Sequence, residues 1–132
     1  MTPPPVFLTL LPLRLVSESN ESRHWRWRWK RRKLQRETTY WWLRQWCPQP
    51  PALPLTITLT RISPRQLDSD NLCGSLKVVQ DACADWLDNA PGKGQDRQPG
   101  LVWVYQQRRG KVREYAVEIA IAPGAEIRFN TP

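Results

Sequence analysis

The chain has 132 residues, with 20 Lys and Arg against 12 Asp and Glu, a formal net charge of +8 and a pI near 10. That length suits one domain spanning 1–132, and the basic excess is a standing attraction to polyanions, of which nucleic acid is the commonest in a cell. Three cysteines (Cys47, Cys73, Cys83) without a CxxC pair, and a single histidine, His24, argue against a Cys/His zinc site or a disulfide framework, so the chain reads as a reduced, intracellular protein.

Met1 to Val16 is apolar, but it lacks a basic leading region, carries prolines at positions 3, 4, 5 and 12, and is interrupted by Arg14. It is not read as a signal peptide. No stretch has the length of a transmembrane helix, and no apolar helix accompanies the charge as membrane-surface binding would require. The expected location is the cytoplasm.

Val6 to Leu15 alternates loosely and predicts a first strand, with Pro12 pointing to an edge or a bulge. Ser17, Ser19 and Asn20 are cap-type residues ahead of Glu21, and a basic helix is expected from there to about Trp46. Trp27, Leu34 and Trp41 are seven apart, with Trp42 and Trp46 beside them, which predicts one apolar helix face. Residues 47–54 contain four prolines and form an irregular connector. Leu55 to Ile62 alternates apolar residues with Thr and predicts a strand. A second helix is expected from Asn71 to Leu87, with Leu72, Leu76, Val79, Cys83 and Trp86 on its apolar stripe. Residues 88–100 are a polar loop. Leu101–Gln106 and Tyr115–Ile121 read as two strands of a hairpin around the basic turn Arg109-Gly110-Lys111. Residues 123–132 form a further short strand or a tail. The order β-α-β-α-β-β predicts an α/β domain with two helices on a small mixed sheet.

The segment Leu67-Asp68-Ser69-Asp70-Asn71-Leu72 carries the strongest chemical signal. If the chain is extended there, Asp68 and Asp70 share a side, and two carboxylates so close call for a cation between them. Mg²⁺ suits such oxygen ligands, with Mn²⁺ as an alternative. Lys77 and Asp81 are i and i+4 on the polar face of the following helix, and Asp88 lies seven residues further on. In phosphodiester hydrolysis a metal activates water and a nearby lysine neutralises charge at the phosphate. Read structurally instead, Asp68 and Asn71 are helix caps, and Lys77 with Asp81 is a solvated pair.

Arg23, Arg26, Arg28, Lys30, Arg31, Arg32, Lys33 and Arg36 crowd one stretch, with Trp25 and Trp29 interleaved. These residues suit a phosphate-gripping surface, and a tryptophan there suits stacking on an exposed base. The competing reading makes Trp27, Trp41 and Trp42 core or dimer-interface residues. His24 reads as a surface or capping residue. Arg108, Arg109 and Lys111 make a second, smaller basic patch.

Asp68-x-Asp70-Asn71-Leu72, followed by Lys77, Asp81 and Trp86-Leu87, resembles the RusA family of Holliday junction resolvases. The closing Leu101-Val-Trp-Val-Tyr-Gln, the basic turn, and Tyr115-Ala-Val-Glu-Ile are similar to the last two strands of such proteins. The resemblance implies a homodimeric, Mg²⁺-dependent endodeoxyribonuclease that resolves branched DNA by paired nicks, with no organic cofactor. It implies metal ligation by Asp68, Asp70 and one further aspartate, with Lys77 at the phosphate. Spacing from the helix points to Asp88 for that third carboxylate, and spacing back from Leu101 points to Asp96, which is slightly preferred. Two departures stand out. The lysine lies six residues after Asn71 rather than three, as if Cys73-Gly74-Ser75 were inserted, and the usual pair of adjacent aspartates after the helix is absent. A basic DNA-binding or RNA-binding protein that keeps the fold without cutting is the alternative.

Overall fold

Six elements follow one another in the computed structural model, which describes residues 7–15 and 25–124. They are β1 (Phe7–Leu11), α1 (Trp25–Trp46), β2 (Leu55–Ser63), α2 (Ser69–Asp88), β3 (Leu101–Arg109) and β4 (Ala116–Pro123). The expected α/β class and the order β-α-β-α-β-β are those observed. The expected caps at Ser17, Ser19 and Asn20 fall outside the described residues, as do Arg23, His24 and most of the 123–132 tail.

The strands form one mixed sheet in the order β1-β4-β2-β3. β4 runs antiparallel to both β1 and β2, while β2 and β3 are parallel, with Leu55 opposite Leu101 and Ser63 opposite Arg109. This corrects the hairpin expected around Gly110: β3 and β4 are not neighbours, because β2 lies between them. The reason is α2, which carries the chain from the end of β2 back to the start of a parallel β3, as a parallel pair requires. The link from β3 to β4 then passes over the end of β2, where the Gly110 amide donates to Ser63 O (2.9 Å). A Cβ at Gly110 would come within 3.1 Å of Ile62 Cγ2 and Glu114 O, so the crossing is a close one.

The helices cover the sheet face that carries Leu55, Ile57 and Leu59 of β2 with Val117, Ile119 and Ile121 of β4. The apolar stripe of α2 (Leu72, Leu76, Val79, Cys83, Trp86) meets them as its period predicts. Trp86 is fully buried, and its ring nitrogen donates to Cys47 O (2.8 Å). Each fully buried Leu or Ile here contributes about 1.5–3 kcal/mol of transfer free energy.

α1 carries the apolar face expected from its spacing, but that face is not the buried one. Trp27, Leu34 and Trp41 do share a face, but they are exposed, and Trp46 is exposed too. The buried side is Gln35, Thr39, Tyr40 and Leu43. Two polar residues are tolerated there because each is satisfied: Gln35 Nε2 donates to Arg14 O (3.2 Å) and Thr39 Oγ1 to Gln35 O (2.7 Å). Trp42 is half-buried and ties the helix to β1 by a bond from Nε1 to Thr9 Oγ1 (2.8 Å).

Candidate nucleic-acid and phosphate site

α2 begins at Ser69, two residues before its expected start, and this changes the acidic pair. Asp68 is the N-cap, accepting from the Asn71 amide (2.9 Å) at φ −67° and ψ 168°. Asp70 already sits in the first helical turn and is exposed. The alternation that would have placed Asp68 and Asp70 side by side on an extended chain therefore does not apply, since successive helical residues turn by about 100°. Asp68 performs the capping role that its position before a helix allows.

Along α2, Asp70, Gly74, Lys77, Asp81 and Asp88 fall on one face, at spacings of three, four and seven. Cys73-Gly74-Ser75 lies wholly within the helix, and Lys77 follows Gly74 by three residues, about 4.5 Å along that face. Nothing lies within 4 Å of where a Gly74 side chain would start, so this part of the face is open.

Lys77 is the hub of what is assembled. Its ammonium pairs with Asp81 (3.1 Å) and more closely with Asp96, which also accepts from Gln80 Nε2 (2.8 Å). Hydrogen bonding from Lys77 holds the Asp96 carboxyl below the usual carboxylate range, against a smaller opposing effect of burial. Burial pulls the Lys77 ammonium down, but the bonds to Asp96 and Asp81 outweigh it and leave its pKa raised. Gln80 in turn takes the Tyr105 hydroxyl, and Trp103 Nε1 donates to Asp96 O (2.7 Å), so β3 fixes the loop that presents Asp96.

Of the two candidates for the third carboxylate, the fold brings Asp96 to Lys77. Asp88 is exposed and serves the loop, accepting from the Gln95 amide (2.7 Å) and from Gln98 Nε2 (3.3 Å). Asp70, by contrast, is two helical turns from Lys77, about 10 Å along the axis. Among the described residues no three His, Cys, Asp or Glu side chains are grouped to hold a metal ion. The metal set expected from Asp68, Asp70 and Asp96 or Asp88 is thus not gathered: Asp68 caps, Asp70 stands apart and Asp96 is engaged by an ammonium.

Asp85 was not singled out from the sequence and proves central. It is 1 % exposed, and Arg36 of α1 grips it with both Nε and an outer guanidinium nitrogen at 2.7 Å. The Gly94 amide adds a third bond at 2.8 Å. Burial pushes the Asp85 carboxyl up, yet Arg36 and the loop amides hold it below its ordinary value. Arg36, expected on the DNA-gripping surface, is therefore an inter-helix anchor. The loop reaches Asp85 because Gly94 has no side chain; a Cβ there would lie 2.2 Å from backbone atoms of Ala84 and Asp85. Gly94, in the loop segment Gly92-Lys93-Gly94, was the one available signal.

Between α1 and α2 lies a cleft of about 700 Å³, walled by Trp29, Arg32 and Arg36 on one side and Gly74, Lys77 and Asp81 on the other. Apart from Arg44 in the last turn, the remaining cations of α1 lie on its first half: Arg26, Lys30, Arg32 and Lys33 are exposed, Arg28 and Arg31 half-exposed. Arg26, Lys30 and Lys33 lie over the rings of Trp25, Trp27 and Trp29 at 5.3–5.7 Å. Arg108 and Arg109 close β3 and, with Lys111, are exposed beside the end of β2. Gln107 joins that patch to the start of α2 by two bonds with Leu67 (2.9 and 2.7 Å), so the second basic group stands at the Asp68–Asp70 end of the helix. No helix among the described residues is long and apolar enough to cross a membrane. No family model, no curated protein and no solved structure matches this chain.

Proposed function

We propose that this protein is a structure-selective endodeoxyribonuclease of the RusA type, a cytoplasmic homodimer that nicks branched DNA and uses Mg²⁺ or Mn²⁺. The observation that carries this reading is the face of α2. Asp70, Lys77 and Asp81 line it, Asp96 docks onto it, and it opens on a cleft whose other wall is the basic helix α1. A phosphodiester backbone laid along α1 would find sequence-independent cations there and a fixed ammonium at Lys77. Arg108, Arg109 and Lys111 give a second contact at the Asp70 end, as a substrate with more than one duplex arm requires.

The test is cleavage of a labelled four-way junction beside linear duplex of the same sequence, in Mg²⁺, in Mn²⁺ and in EDTA. Paired nicks in the junction alone, lost in EDTA and in Asp70→Asn while junction binding persists, are the expected result. Binding without cutting in either metal would overturn the nuclease reading. It would favour a non-catalytic DNA- or RNA-binding protein, a reading supported by the separation of Asp70 from Asp96.

A further inference from the structure

Glu37 and Trp41 stand at the rim of the cleft just described, and the rest of the outward face of α1, Trp27 and Leu34 included, lies outside it. Trp27, Leu34 and Trp41 are 62 %, 64 % and 64 % exposed, and they point away from the side that packs Thr39 and Leu43. An apolar ridge of this kind on an otherwise charged helix marks an interaction surface. We infer that α1 pairs with α1 of a second copy, antiparallel and centred on Leu34.

Three features single out that partner and that geometry. The ridge is symmetric about Leu34, with a tryptophan seven residues before and another seven after. A two-fold axis through Leu34 therefore sets Leu34 against its own copy and each Trp27 against a Trp41, the self-complementary pattern of an isologous contact. Charge agrees with the same register. Lys30 and Glu37, both exposed, flank one side of the ridge, and the antiparallel pairing brings each Lys30 level with Glu37 of the other copy. Glu37 is the one acidic residue in α1. A parallel pairing would instead superpose the two basic first halves. The antiparallel one sends them to opposite ends and also opposes the helix dipoles.

The ridge offers on the order of 400 Å² per copy from these three side chains, against about 800 Å² per partner for a standard stable interface. The flanking charged stems supply the rest, and the dimer is expected to dissociate in the micromolar range. This inference deepens the homodimer part of the proposed function but is independent of cleavage, because it is read by mass and not by nicking.

The test is sedimentation equilibrium of the full chain over a range of concentration and salt. The wild type should be a monomer–dimer system that tightens as salt screens the residual repulsion between the basic helices, the opposite of what DNA binding does. Leu34→Glu, at a position already exposed in the monomer, should leave the fold unchanged and weaken association at least tenfold. Lys30→Glu and Glu37→Lys should each weaken it several-fold, and the double exchange should restore it. A wild type that stays monomeric, or a dimer indifferent to Leu34→Glu, would overturn the proposal. Failure of the double exchange to restore the dimer would overturn the antiparallel register. If the protein is monomeric and Leu34→Glu instead weakens DNA binding, the ridge belongs to nucleic acid.

Discussion

Replacing Arg36 with Met would remove both charge-assisted bonds to Asp85 while keeping the length of the side chain. The carboxylate it leaves behind is 1 % exposed and retains its bond from the Gly94 amide. Breaking a buried pair by removing one partner costs about 3–5 kcal/mol, and a hydrogen bond to a charged group is worth about 1.5–3 kcal/mol. Arg36 is itself 30 % exposed, so solvent already weakens the pair and the lower end applies, about 3 kcal/mol. For a domain of this length that corresponds to a drop in Tm of roughly 10 °C.

The pH dependence carries the sharper test. Asp85 is held below its ordinary pKa in the folded chain, chiefly by Arg36 once burial is overcome. A depressed carboxylate contributes stability that is present above its unfolded pKa and is lost as pH falls through the folded one. The gap between wild type and Arg36→Met, measured by urea unfolding, should therefore be full at neutral pH and shrink below about pH 4. Asp85→Asn added to Arg36→Met should recover part of the loss, since an amide needs no counter-charge. A gap under about 1 kcal/mol, or one that does not change with pH, would refute the reasoning.

Gly94→Ala should cost about 2–3 kcal/mol, because its Cβ meets backbone atoms of α2 at 2.2 Å and the loop must move; thermal unfolding measures it. Arg26→Ala with Arg28→Ala should lower the slope of log K against log salt for junction binding by about 2, read by titration at several ionic strengths. Cys73 is exposed, whereas burial pushes the Cys83 thiol far up, so iodoacetamide should modify Cys73 in the native protein and reach Cys83 only on unfolding. Mass spectrometry of the labelled peptides distinguishes the two.

The element order was legible because each segment carries one clear period, two for Leu55–Ser63 and 3.6 for α2. Period says which residues share a face, but not which way the face points. Trp27, Leu34 and Trp41 were grouped correctly on one face, but the buried face is another, because Gln35 and Thr39 could be buried at little cost once their hydrogen bonds were made. Pairing between strands is equally silent in a linear pattern, so the hairpin default failed where α2 makes β2 and β3 parallel. At the site, Lys77 and Asp81 were readable as a helical i, i+4 pair. The choice between Asp88 and Asp96 needed the loop path, which Gly94 and Trp103 set through contacts remote in sequence. Asp85 stayed hidden among Ala82, Cys83, Ala84 and Trp86, because a lone carboxylate in an apolar stripe announces a partner without naming it.

β4 sits between β1 and β2, yet it is the last of the six elements to leave the ribosome. Until it arrives, β1 and β2 each keep an unpaired edge, and the two cannot satisfy one another without displacing its place. The pairings of β4 with β1 and β2 can therefore form only after both helices have been made. Nascent chains halted before Ala116 should expose those edges to chaperones or to each other, and the yield of native protein should depend on how quickly translation passes from Arg109 to Pro123.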